Sequence, residues 1–218
     1  MIELVFILIT LLSIALLYLA SGNDKGVLYF FSFWLAVVGI ISATGVFQNE
    51  KALPPRLLFV IIPSALYVIY FYKKLHLQKS DLFYLLAIHT LRLPVEIVLY
   101  RLFLKGKIPV IMTYKGWNFD IVIGTTAILL LVYAVYTKKE LKTTFLRAWN
   151  IIGIIFLNII VTIGMLSAPS PIQQLAFDQP NIAVLQFPFT FLPAVVVPIV
   201  LLSHLLSLKY FKNKDKAS

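Results

Sequence analysis

Apolar runs close to the length of a bilayer core recur along almost the whole chain, and nothing else constrains its folding as strongly. A segment in hydrocarbon must satisfy its own backbone polar groups, which for runs of about 20 residues leaves the α-helix. Cutting at polar and turn-rich stretches gives seven segments, about 2–20, 27–47, 57–72, 81–104, 119–137, 148–167 and 188–208. The expectation is an all-α integral membrane protein, a seven-transmembrane-helix bundle over 1–208 with a basic cytoplasmic tail at 209–218. Pro94 and the series Pro188, Pro193 and Pro198 predict kinks in the fourth and seventh helices, and Pro63 lies in the short third. At 61% hydrophobic and 13% charged, 218 residues leave no room for a soluble catalytic or nucleic-acid-binding domain.

The net charge of +10 therefore reads as topology rather than as a nucleic-acid footprint. Twelve basic residues fall in the connections after the first, third and fifth segments and in the tail, Lys79, Lys139 and Lys216 among them. The alternate connections hold five, and none lies between Ser167 and Gln186. The positive-inside rule then predicts an N-out, C-in, multi-pass protein. Compact size and the absence of an Asn-x-Ser/Thr sequon suit a bacterial inner membrane. The first segment reads as a retained helix rather than a cleaved signal, because its start lacks Lys or Arg and carries Glu3, and its apolar run is long for a signal. With no cysteine, disulfides, thiolate catalysis and cysteine metal ligation are excluded.

The fourth segment carries the chemistry. His89, Arg92 and Glu96 interrupt an apolar run at steps of three and four, so a helix stacks them along one face. A charge near the bilayer centre costs about 2.5–3.5 kcal/mol on insertion scales, so these groups are expected to face protein, ligand or water. Arg92 and Glu96 stand at ion-pair spacing, and Pro94 frees the Thr90 carbonyl. The plainer reading is an ion pair that docks this helix on its neighbours.

Two connections on the N-terminal side add candidates. Asn118 and Asp120 either cap the fifth helix or contact ligand, and Tyr114 and Trp117 suit an interfacial aromatic belt. Three prolines between Ser167 and Asn181 predict an ordered connection, a lid over Glu96 and Arg92 or a turn that caps the last helix through Asn181. Asn150, Asn158 and Thr162 suit interhelical hydrogen bonds, with Asn158 and His204 as additional polar lining. His89 and His204 both fall toward the cytoplasm, but two lone histidines without a supporting carboxylate pattern argue against haem or a metal site.

No nucleophile-elbow, zinc-helix, phosphate-loop or dinucleotide motif is present. Seven helices with N-out topology resemble rhodopsins, yet Lys209 lies only at the end of the seventh span, which argues against retinal. Leu93-Pro94-Val95-Glu96 resembles the Pro-x-Glu element of membrane carotenoid cyclases, which continues with an acid where this chain has Ile97; the likeness ends there and assigns no family.

The expected function is binding of a small anionic or amphiphilic molecule in an outward-facing cavity, for transport or sensing. The candidate ligand set is His89, Arg92, Glu96, Asn118, Asp120 and Asn181. One alternative is a membrane enzyme acting on a lipid or isoprenoid, with Glu96 as acid or base and His89 assisting. Another is an accessory subunit of a membrane complex. The expected partners are the bilayer, a small molecule or lipid, and further copies or a larger assembly, not nucleic acid.

Overall fold

The computed structural model describes residues 1–78, 81–138 and 142–217. Lys79, Lys139 and the side chain of Lys216, used in the orientation argument, lie outside what is described. Among the described residues, eight α-helices follow in chain order: α1 (Ile2–Ala20), α2 (Lys25–Ala43), α3 (Leu58–Lys74), α4 (Asp81–Thr90), α5 (Arg92–Leu104), α6 (Asp120–Thr137), α7 (Thr143–Leu166) and α8 (Val197–Ala217). No strand occurs among the described residues. Helices α4 and α5 form one interrupted rod, and a π-helical turn, Leu192–Val196, leads into α8. Six rods are long and apolar enough to cross a membrane: 2–20, 25–43, 81–104, 120–137, 143–166 and 192–215. Helix α3, with 17 residues and Pro63 inside it, is shorter than the roughly 20 residues a bilayer core calls for.

Both expected kinks have local causes. The fourth rod breaks at Leu91, where Pro94 lacks an N–H and its ring crowds the backbone one turn earlier. In the last rod, Pro198 cannot donate to the carbonyl of Ala194, four residues back. Three side chains donate to that carbonyl instead: Tyr67 Oη at 2.7 Å, Trp34 Nε1 at 3.0 Å and Ser64 Oγ at 3.3 Å. The broken helix is thus joined to α2 and α3 by the acceptor that its proline exposes.

The last rod is the centre of the bundle. Of its most apolar window 61% is buried, against 22% for α2, and it packs on α1, α3, α4 and α7. It also runs on to Ala217, so residues 209–217 are helix where the sequence suggested a tail after 208. Its end is anchored. Lys209 Nζ donates to the Tyr72 and Leu75 carbonyls at the end of α3, and Arg147 donates to the Phe211 carbonyl and pairs with Asp215. At the same end, Asp24 caps α2 through the Gly26 amide and meets Lys74 at 2.7 Å. The hydrogen bond from Lys74 holds the Asp24 carboxyl below its ordinary pKa.

At the opposite end, the 167–191 connection is pinned onto 103–108. Gln179 Nε2 donates to the Phe103 and Ile108 carbonyls, Lys107 Nζ donates to Gln186 Oε1 at 2.9 Å, and Ala183 N donates to the Lys107 carbonyl. Ser167, Asn181 and Leu185 are buried within it.

Removing one donor from Ala194 leaves two, so Tyr67→Phe should cost only about 1 kcal/mol. Combining it with Trp34→Phe and Ser64→Ala strands a buried carbonyl, and the triple variant should lose more than the sum of the three single losses, read from unfolding midpoints in detergent.

Candidate functional site

Arg92, the first residue of α5, is 3% exposed and stands beside the centre of the bundle. Helical side chains lean toward their own N-terminus, so Arg92 reaches back toward α4 and away from Glu96. The expected Arg92–Glu96 pair is therefore not what forms. Arg92 Nη1 donates to Asp120 Oδ1 at 3.1 Å, while Nη2 lies 3.2 Å from His204 Nε2 and 3.5 Å from the Gly153 carbonyl. The order matters as well, because a cation N-terminal to its anion is the weaker arrangement of an i,i+4 pair.

The network settles both imidazoles. Asn150 Nδ2 donates to the Leu146 carbonyl, which turns its Oδ1 toward His204 Nδ1 at 2.8 Å. His204 therefore carries its proton on Nδ1 and offers the Nε2 lone pair to Arg92. The Ser203 hydroxyl donates to the Val200 carbonyl, so His89 Nε2–H donates to Ser203 Oγ at 3.1 Å. With Nε2–H so assigned, His89 Nδ1 is the free ring nitrogen, an atom that is buried and has no partner among the described residues. The two rings stack at 3.9 Å between centroids, with Trp149 against both. Rings in direct contact leave no gap for a macrocycle between them. Among the described residues, no group of three or more His, Cys, Asp or Glu could hold a metal ion.

Two glycines make the layer. A Cβ at Gly124 of α6 would meet the Leu93 amide at 2.9 Å and Arg92 Cβ at 3.2 Å, so glycine lets α6 bring Asp120 up to α5. A Cβ at Gly153 of α7 would overlap the His204 imidazole. Neither glycine was singled out from the sequence. The available signal was a glycine inside an apolar helix, which in membrane bundles marks close backbone approach.

Glu96 takes a different partner. Asn118 Nδ2 donates to Glu96 Oε1 and to the Met112 carbonyl, and Asn118 Oδ1 accepts from the Asp120 amide. Asn118 therefore holds the first amide of α6 and fixes Glu96 at once. Glu96 Oε2 and Arg92 Nε are buried without a partner among the described residues. Asn181 serves structure, donating from its backbone to Ser167 O and from Nδ2 to Gly164 O at the end of α7. Asn158 bonds back to the Ile154 carbonyl.

A cavity of about 260 Å³ opens beside this cluster, between α3, α5, α7 and the last rod. Arg92, Glu96, Asn118 and Asp120 line one part of it, and most of the rest is aliphatic. Asn181 and Asn158 also reach its wall, whereas His89 and His204 do not; they lie behind Arg92. The principal partners of α3 are α8 and the π-helical turn, and those of α7 are α8 and α6. Between α3 and α7 the exposed lining residues are Ala65 and Asn158, both mid-helix, so the cavity opens sideways between the middles of these two helices.

Gly153→Ala should displace His204 and cost about 1–3 kcal/mol as an overpacked core, visible as a lower unfolding midpoint. No curated protein matches the chain, and no solved structure does. A family model described as a domain of unknown function, DUF8737, matches residues 55–211, from just before α3 to the buried Phe211, and so takes in every polar residue of this layer; the chain belongs to that family.

Proposed function

We propose that the chain binds a small amphiphilic molecule in the 260 Å³ cavity, for transport or sensing, with its apolar body along α3, α7 and the last rod and its polar head against Glu96 and Arg92. The observation that carries this reading is the pairing of an aliphatic, laterally open cavity with two buried polar atoms, Glu96 Oε2 and Arg92 Nε, that lack partners among the described residues. Buried polar groups are ordinarily hydrogen-bonded, and a ligand head in the cavity would supply what these two lack. Arg92 is already paired with Asp120, which favours a neutral or zwitterionic amphiphile over a simple anion.

The proposal includes the membrane arrangement: α3 crosses as a seventh, short and tilted segment, the end bearing Lys74, Arg147 and Lys209 faces the cytoplasm, and the cavity lies in the outer half of a bacterial inner membrane. The positive-inside count supports it, as does the clustering of Asp24, Lys74, Lys209 and Asp215 contacts at one end.

Gently solubilised protein should retain a co-purifying amphiphile, seen by native mass spectrometry and lipid extraction. Ala65→Trp, which fills the cavity from its mouth, should abolish retention, and Glu96→Leu should reduce it by about 3- to 10-fold, the worth of one hydrogen bond. Equal retention in the wild type and both variants would overturn the reading.

A further inference from the structure

A second cavity, of about 210 Å³, lies on the other side of the Arg92–His204 layer. It is lined by α4 along its length, the ends of α6 and α8 and the start of α7. Its walls are mostly apolar and aromatic, with Phe83, Trp149 and Phe211 among them, and Lys214 stands at its edge. His89 lines it, 1% exposed.

The buried polar side chains of this cavity divide sharply. Trp149 Nε1 donates to Thr126 Oγ1 at 3.0 Å, Asn150 is engaged at both ends of its carboxamide, and Ser207 donates to the Ser203 carbonyl at 2.9 Å. His89 differs. Its Nε2–H is held by Ser203, which leaves Nδ1 an acceptor without a partner among the described residues. Its ring cannot turn to exchange the two nitrogens at low cost, because His204 stacks on one face and the Trp149 ring meets it edge-on. An unpartnered acceptor on a residue that lines an aromatic-walled cavity suits one hydrogen-bond donor on a flat apolar body.

We infer that this second cavity is a binding site for a neutral, largely aromatic molecule bearing a single N–H or O–H donor, with His89 Nδ1 as the acceptor. The site is separate from the 260 Å³ cavity: of the residues between them, Arg92 lines only that cavity and His89 only this one. The inference does not depend on what the first cavity holds.

Indole and indene have nearly the same shape, and only indole carries an N–H. In equilibrium dialysis of the detergent-solubilised full chain, corrected against empty micelles, indole should bind about 3- to 10-fold more tightly than indene. His89→Phe, which keeps a ring but removes the acceptor, should bring the ratio to about one. Leu86→Trp, which fills the cavity, should remove saturable binding of both probes. Equal affinities of the wild type for the two probes, or no saturable binding of either, would overturn the proposal even if neither variant folds. Undiminished indole binding in a folded Leu86→Trp would overturn it too, by placing the probe elsewhere.

Discussion

One guanidinium has to be kept deep in a bundle that is otherwise apolar, and much of the structure follows from how that is done. Removing an arginine from water costs several kcal/mol unless its charge and its donors are met. Asp120 meets the charge, and His204 and the Gly153 carbonyl meet one nitrogen. Each partner then needs its own support. Asp120 comes within reach because Gly124 lets α6 approach α5, and Asn118 fixes the start of α6. His204 presents a lone pair because Asn150 accepts the proton on its other nitrogen. Satisfying one charge thus ties together α5, α6, α7 and α8, and polar networks of this kind specify one packing among several apolar alternatives.

The same logic appears at the proline break. Pro198 withdraws one donor, and Trp34, Ser64 and Tyr67 gather on the carbonyl left behind. They add polar contact where the middles of α2 and α3 otherwise meet the last rod through apolar side chains, contacts that hold helices together weakly in an apolar surrounding. The break and the charge therefore serve one end, an interior held by polar contacts. They also place irregular backbone and unpartnered polar atoms beside cavities, where non-helical structure at membrane depth is tolerated.

Much of this was legible in the sequence, and the misreadings have physical causes. The lengths of the apolar runs located the long helices, and prolines located both breaks. His89, Arg92, Glu96, Asn118 and Asp120 were visible as polar residues out of place, and all but His89 line the first cavity. The partner of Arg92 was not visible, since sequence spacing proposes the neighbour one turn away while the contact formed is 28 positions distant. His204 looked like a lone residue near the cytoplasm because its role depends on Gly153, where the missing side chain is the information. The basic run after 208 looked like a tail; anchoring of Lys209 on the end of α3 and burial of Phe211 keep it helical.

Arg92 and Asp120 are on this view a mutually dependent buried pair rather than two independent surface-like charges. A double-mutant cycle with Arg92→Met and Asp120→Leu, read from unfolding midpoints in detergent, tests it most directly. Each single change should cost about 3–5 kcal/mol by stranding the other charge, and the double variant should be more stable than either single one. Additive losses would show that the pair does not organise the bundle and would contradict the account.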